Sequence, residues 1–303
     1  MASLSDPRRP RALLTGYHGF TGRYVARELE AAGYEVIGLV HDGEPAAPDV
    51  VRANLLDRRV VRRAVELACA DVVVHLAAIS FVAHGDADEI YRVNISGTRN
   101  LLEALASAAH PPRIVVLASS ANVYGNAQQS PIGEDTPPAP ANDYAVSKLA
   151  MEQMARLWMD RLPIVVMRPF NYTGVGQSEQ FLIPKIVSHF RRGERSIELG
   201  NIHVWRDFSD VRDVARVYAA IIRAAPVGQT FNICSGRAHS LSEVLDSMAQ
   251  IAGYGIEVKV NPAFMRSNEV ASLIGSNARL AAAAGVRPSI PLPETLQWMY
   301  TTP

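Results

Sequence analysis

Tyr144 and Lys148 stand four residues apart in Asn142-Asp143-Tyr144-Ala145-Val146-Ser147-Lys148. Positions i and i+4 share one face of a helix. An ammonium held beside a phenol favours phenolate and pulls the ordinary tyrosine pKa of about 10 toward working pH. Such a phenol serves as a general acid or base where a neighbouring oxygen gains or loses a proton. The same spacing also describes an ordinary helix-surface pair, so the rest of the chain decides. Ser120, in Ala118-Ser119-Ser120-Ala121-Asn122-Val123-Tyr124-Gly125, follows an apolar run and offers a hydroxyl to a substrate oxygen, although loop serines commonly cap turns. Gly16, Gly19 and Gly22 punctuate Gly16-Tyr17-His18-Gly19-Phe20-Thr21-Gly22. Missing side chains there let backbone approach a pyrophosphate, and the following helix N-terminus presents N–H groups and partial positive charge. A tight turn with no ligand is the plain alternative.

These residues need a frame, and the hydrophobic pattern supplies one. Arg11–Thr15 reads as a buried strand leading into the glycine turn, followed by a helix over Arg23–Ala32 that Gly33 closes. Further strands are expected at Glu35–Val40, Asp71–Leu76, Arg113–Leu117, Pro163–Arg168 and Thr230–Cys234. Helices are expected at Asp57–Cys69, at Ile90–Ala108, and from the Tyr144 segment to about Arg161. Strands that are apolar on both faces belong to parallel sheets covered by helices on each side. Their alternation with helices predicts an α/β fold with a doubly wound parallel Rossmann sheet. In such sheets ligands bind beyond the carboxyl ends of the strands, where the Ser120 loop lies. From Tyr172 the rhythm breaks into mixed, loop-rich sequence. The expected division is a dinucleotide-binding domain over 10–171 plus about 210–237, and a smaller C-terminal α/β substrate lobe over about 172–209 and 238–303.

Composition narrows the partners. Thirty basic and thirty acidic residues among 303 cancel, so no global field steers nucleic acid or an anionic membrane. Arg58-Arg59 and Arg62-Arg63 recur at helix spacing and read as a solvated face. Cys69 and Cys234 read as buried free thiols in a reducing compartment. The eight histidines show no metal-ligand spacing, and no metal is expected. Met1 to Arg11 has no apolar core for a signal peptide, and no apolar run approaches bilayer length. The expectation is a cytoplasmic protein with no membrane or nucleic-acid partner.

Jointly, the glycine pattern, Leu76-Ala77-Ala78, Ser119-Ser120-x-x-Val123-Tyr124-Gly125, Tyr144-x-x-x-Lys148 and Arg168-Pro169-Phe170-Asn171 resemble the extended short-chain dehydrogenase/reductases. This is the nucleotide-sugar epimerase, dehydratase and reductase branch, and the resemblance runs from about Ala12 to about Trp298. It implies Tyr144 as proton donor or acceptor, Lys148 on the nicotinamide ribose, and Ser120 on the sugar oxygen. It also implies dinucleotide contacts from Gly16, Gly19, Phe20, Thr21, Gly22, Leu76, Ala77 and Ala78. Asn54 and Leu55 would flank the adenine, where the family usually has aspartate in place of Asn54. Asn122 and Asn171 would contact the sugar nucleotide. Within the branch the likeness runs to GDP-4-keto-6-deoxy-D-mannose reductases, through Arg206-Asp207-Phe208-Ser209-Asp210-Val211-Arg212-Asp213-Val214, Asn232–Gly236 and Phe264–Glu269. It implies Arg206 and Arg266 on the diphosphate, a task suited to guanidinium forks, and Glu269 beside them.

The second strand ends at Val40-His41, with Asp42 only afterwards. An acidic residue at that strand end would bind the adenosine ribose. Its absence lowers repulsion toward a 2′-phosphate, which His41 or Arg23 can approach, and this favours NADP over NAD. Asn122 stands where related dehydratases place an acid, and an amide is no general base. The expected activity is therefore NADPH-dependent reduction of the 4-keto group of a GDP-4-keto-6-deoxy sugar, hexose or heptose, in deoxysugar biosynthesis. A 4-epimerase with tightly bound NAD is the alternative, and a non-catalytic NADP-binding sensor is a third. Relatives pair through the Tyr144 helix, where Met151, Met154, Leu157 and Trp158 line one side, so a homodimer is expected.

Overall fold

The structure, a computed structural model, describes residues 8–41, 49–80, 86–202, 204–262 and 270–302. The chain forms two compact units. The first comprises residues 1–118, 150–166 and 225–229, and the second residues 119–149, 167–224 and 230–303.

The first unit begins with β1 (Arg11–Thr15), α1 (Phe20–Ala31), β2 (Glu35–Val40), β3 (Val50–Arg52), α2 (Arg58–Ala68) and β4 (Val72–His75). It continues through α3 (Ala87–Tyr91), a π-helical turn (Arg92–Gly97), α4 (Thr98–Ala106) and β5 (Ile114–Ala118). Strands β1–β2, β1–β4, β2–β3 and β4–β5 pair in parallel. With β6 (Ile164–Pro169) and β10 (Thr230–Ile233), they make a seven-stranded sheet ordered β10-β6-β5-β4-β1-β2-β3. This is the expected α/β architecture. Leu13, Val73, Val115 and Val166 join the sheet-side faces of α2 and α4 in one core. The basic residues of α2 lie on its exposed side, while Val61, Ala64, Val65 and Ala68 face inward, as their spacing predicts. Asp57 starts α2 by accepting from the backbone N–H groups of Arg59 and Val60.

The second unit carries the short 3₁₀ turn Ala121–Tyr124, α5 (Asp143–Arg156), β7 (Asn171–Thr173), α6 (Leu182–Arg191), β8 (Ser196–Leu199), β9 (Trp205–Asp210) and α7 (Val211–Ala224). After β10 come β11 (Ala238–Ser240), α8 (Leu241–Ala252), β12 (Glu257–Val260), β13 (Ser272–Leu273), α9 (Ala278–Ala284) and α10 (Leu292–Thr301). A small mixed sheet orders β11-β9-β13, with β7 also on β9, and β8 pairs with β12. Ile186, Phe190, Val244, Met248, Leu296 and Met299 anchor its core.

Several expectations are corrected. Helix α1 starts at Phe20, not Arg23, because glycine at its N-cap lets the turn flow directly into the helix. The expected helix Ile90–Ala108 is interrupted by the π-helical turn, which periodicity alone does not reveal. Helix α5 ends at Arg156, short of Arg161, where residues 157–161 form turns. The sequence after Tyr172 is not loop-rich: α6 to α10 occupy it, joined by strands of two to six residues. Cys234 is buried, but Cys69 is only half-buried, at the C-cap of α2; both thiols are free. Met151 belongs to the core and Leu157 is 80% exposed, so the apolar side of this segment is only partly external.

Candidate active site

Strand β5 ends at Ala118, and the chain turns at Ser120 into the 3₁₀ turn. Ser120 is extended there, and its Oγ accepts from Asn122 N–H at 3.1 Å. An Oγ that accepts from the backbone keeps its own proton for another oxygen. Asn142 sets the start of α5 by accepting Ala145 N–H on its Oδ1 at 2.9 Å, which puts Tyr144 in the first turn and Lys148 one turn later. The Lys148 Nζ lies 6.0 Å from the centroid of the Tyr144 ring. Ser120, Tyr144 and Lys148 are all buried, at 7%, 8% and 5% exposure.

Burial pushes the Tyr144 phenol well above its ordinary value; the hydrogen bond with Ser120 opposes this and Tyr172 adds to it. The net direction is opposite to what an ammonium alone would give, because loss of water disfavours phenolate more than its partners favour it. At neutral pH Tyr144 therefore carries its proton, and the Ser120 hydroxyl donates to the phenol oxygen. The arrangement is that of a buried acid ready to donate.

In the first unit, Gly16 adopts a φ of +71°, and a Cβ there would lie 2.9 Å from Ala77 N. A Cβ on Gly22 would collide with the carbonyl oxygens of Gly16 and Tyr17. The turn thus closes on itself with Gly19 N–H donating to Gly16 O at 3.0 Å. Phe20, Thr21 and Gly22 form the first turn of α1, which has neither a side-chain cap nor an acidic residue. Such an end attracts an anion. His41 is exposed just past β2. Asn54 spends its Oδ1 on Leu56 N–H at 2.9 Å, and Leu55 is buried with its carbonyl accepting from Asn100 Nδ2 at 2.8 Å. Leu76, Ala77 and Ala78 follow β4, half-buried. A turn without Cβ atoms at Gly16, Gly19 and Gly22, an uncapped helix start and a strand end without carboxylate together fit an anionic dinucleotide.

The expected substrate contacts are more dispersed. Asn122 is half-buried in the 3₁₀ turn. Asn171 opens β7, and its Nδ2 is buried with no hydrogen-bond partner, which is costly unless a ligand or water completes it. Arg206 lies on β9 and donates Nη1 to Trp205 O at 2.9 Å and Ala271 O at 3.3 Å. Arg266 and Glu269 lie outside the described residues.

Sequence reasoning overlooked the groups that support the Ser120 turn. Arg168 Nη1 donates to Tyr124 Oη at 2.8 Å, and Tyr124 in turn donates to Asn232 Oδ1 at 2.7 Å. The direction is fixed because guanidinium only donates. Asn232 passes its Nδ2 proton to Ile132 O at 3.0 Å. Asp207 is also structural: it accepts from Ser235 N–H and Oγ and from Gly236 N–H at 2.7–2.8 Å, and burial raises its carboxyl. Only the motif membership of Tyr124, Arg168, Asp207 and Asn232 hinted at these roles. Among the described residues no cluster could hold a metal ion, and no helix is long and apolar enough to cross a membrane.

The profile described as "NAD dependent epimerase/dehydratase family" matches residues 12–234. The chain is 33% identical to a GDP-6-deoxy-D-mannose reductase of Pseudomonas aeruginosa, covering 95% of each chain. It is 32% identical to a GDP-6-deoxy-D-talose 4-dehydrogenase of Aggregatibacter actinomycetemcomitans, covering 91% of each. Among solved structures, a Burkholderia cenocepacia protein bearing only the provisional name of an epimerase is 54% identical, with a TM-score of 0.91 over 97% of this chain and 98% of that one. The RMD protein of P. aeruginosa, solved with NADPH, is 31% identical, with a TM-score of 0.84 over 96% and 98%.

Proposed function

The chain belongs to the NAD-dependent epimerase/dehydratase family, and we propose that it is an NADPH-dependent reductase of the 4-keto group of a GDP-linked 6-deoxy sugar. The observation that carries the reading is the burial of Ser120, Tyr144 and Lys148 together, with the Lys148 Nζ 6.0 Å from the Tyr144 ring, an environment that favours the protonated phenol. Ketone reduction ends with a proton delivered to a nascent alkoxide, and a phenol that already holds its proton suits that direction. Ser120 steadies the same oxygen while its Oγ stays oriented by Asn122 N–H. Lys148 holds the nicotinamide ribose in this reading. The dinucleotide, when bound, supplies the hydride.

Gly16, Gly19, Phe20, Thr21 and Gly22 hold its pyrophosphate, with Leu76, Ala77 and Ala78 alongside. Asn54 and Leu55 take the adenine and His41 approaches the 2′-phosphate, so NADP is preferred and NAD is tolerated. Asn171, whose Nδ2 lacks a protein partner, takes the sugar nucleotide with Asn122, Arg206, Arg266 and Glu269. The lobe formed by about 172–209 and 238–303 receives that ligand, and two copies pair through the α5 segment where Leu157 is exposed. Asn122 in place of an acid argues against dehydration.

The epimerase name attached to the 54% identical structure supports a second reading, an NDP-sugar 4-epimerase with retained NAD. One experiment separates them. Purified protein mixed with NADPH and GDP-4-keto-6-deoxy-mannose is expected to consume the reduced-nicotinamide absorbance in proportion to ketone. Co-purified NAD and interconversion of UDP-sugars without added cofactor would overturn the reductase in favour of the epimerase.

A further inference from the structure

His75 is buried at the carboxyl end of β4, and both of its ring nitrogens are engaged. Nδ1 lies 2.7 Å from Thr15 Oγ1, and Nε2 lies 2.8 Å from Thr98 Oγ1. Groups at the two ends fix the direction of every bond. Ala77 N–H donates to Thr15 Oγ1 at 3.0 Å, and Thr98 Oγ1 donates to Asn94 O at 2.7 Å. A hydroxyl has one proton to give. Thr98 gives its own to Asn94, so it accepts from His75 Nε2–H. The bare Nδ1 then takes the proton of Thr15. The opposite tautomer would strand the Thr15 proton and set Thr98 Oγ1 against Asn94 O with no proton between them. An imidazolium would strand the Thr15 proton as well.

Both ends of this relay finish on one loop. At one end stands Ala77 N–H. At the other, Asn94 accepts Ile79 N–H on Oδ1 at 2.9 Å and donates Nδ2 to Ile79 O at 3.1 Å. The loop Leu76–Ile79 is therefore gripped at alternate residues, and it is the loop on which Gly16 packs, 2.9 Å from a Cβ position to Ala77 N. Asn94 lies within the π-helical turn, and Thr98 follows it directly. Turns of this kind concentrate at functional sites.

We propose that Thr15, His75, Thr98 and Asn94 form a proton-ordered relay that positions the Leu76–Ile79 loop against the Gly16 turn for the dinucleotide, with His75 working as a neutral Nε2–H imidazole. These are positioning residues, and the inference rests on the cofactor assignment of the preceding section, not on the choice between reductase and epimerase.

The test is NADPH titration of the full-length protein without any sugar substrate, read by calorimetry, beside thermal melting. Thr15→Val keeps the side-chain shape and removes the hydroxyl; it is expected to weaken NADPH binding about tenfold. Thr15→Ser is expected to restore binding to within about twofold, since the hydroxyl is what the relay needs. Met248→Ala, in the core of the second unit, is the stability control: it lowers the melting temperature and leaves the Kd alone. Thr98→Val and Thr98→Ser repeat the comparison at the other end if Thr15→Val does not fold. Nitrogen-edited NMR of the imidazole supplies an independent signature, an Nε2–H tautomer at neutral pH. Wild-type Kd in both valine variants, or an Nδ1–H or doubly protonated His75, overturns the relay while leaving the cofactor assignment standing. A wild-type protein that binds neither NADPH nor NADH overturns that assignment, and the relay with it.

Discussion

At Tyr144 the loss of water outweighs the one neighbour that favours ionisation, the Ser120 hydroxyl. The sequence placed an ammonium one turn away, yet burial dominates and keeps the proton on the phenol. Replacing Tyr144 with Phe removes the only proposed proton donor; turnover is expected to fall by about 10²–10⁴-fold, the usual worth of a positioned acid. NADPH affinity should stay within about twofold, because a phenol-to-phenyl change leaves the pyrophosphate cradle intact. Undiminished turnover would show that some other group supplies the proton. Ser120→Ala makes a second, less obvious prediction. The Ser120 hydroxyl lowers the Tyr144 pKa, so its removal lets that pKa rise further. Reduction requires protonated Tyr144, and activity is lost as pH rises through its pKa. The variant's rate should therefore drop by about 10²-fold, while neither protein shows an alkaline limb from Tyr144 below about pH 10, because burial keeps the phenol protonated there. A limb below that pH in either protein contradicts the assigned pair.

At the scale of elements, caps decide where functional groups stand. Asn142 closes the start of α5 through Ala145 N–H, and Tyr144 follows two residues later. Asn142→Ala is expected to cost about 1 kcal/mol of stability in denaturant titrations, whereas Asn142→Asp, which can accept the same bond, should cost little. Equal losses in the two variants would mean that the side chain does not cap. The opposite device serves α1, whose start has no side-chain cap and so keeps its field for a ligand anion. Elements of the second unit depend on distant partners instead. Asp210 is buried on β9 and accepts from Arg212 N–H, Nε and Nη2 and from Thr295 Oγ1 of α10, while Trp298 stacks on the Arg212 guanidinium at 4.0 Å. Asp213 accepts the backbone N–H groups of Ser289 and Ile290 at 2.7 Å, which fixes the approach to α10. The pairings of Asp210 with Thr295 and of Asp213 with Ser289 and Ile290 have no local signature, because the partners lie 76 to 85 residues apart.

For the molecule as a whole, buried weak acids set the response to alkali. Burial holds the Cys234 thiol far above its usual range, with Asp207 and Glu134 adding to the shift. In the unfolded chain that thiol ionises near pH 8.5, so above this value the unfolded state binds fewer protons than the folded state and stability falls as pH rises. The slope from this one group approaches about 1.4 kcal/mol per pH unit, and buried Tyr144 and Tyr218 add to it above about pH 10. Urea midpoints between pH 8.5 and 10 should fall more steeply for the native sequence than for Cys234→Ala, whatever the variant's baseline stability. Parallel slopes would place the thiol in contact with solvent.

The sequence by itself determined the alternating strands and helices, the parallel sheet and the family. It also identified the residues able to do chemistry: a glycine turn, a serine at a strand end, and a tyrosine and lysine one helical turn apart. These are legible because each is written in spacing over a few residues, where backbone geometry leaves little freedom. Only the tertiary structure decided that burial keeps the proton on Tyr144, that His75 stands between the Thr15 and Thr98 hydroxyls, that Asn171 has a buried donor without a partner, and that helices fill the stretch after Tyr172. Desolvation and hydrogen-bond direction depend on which groups meet across tens of residues, and no local pattern encodes those meetings.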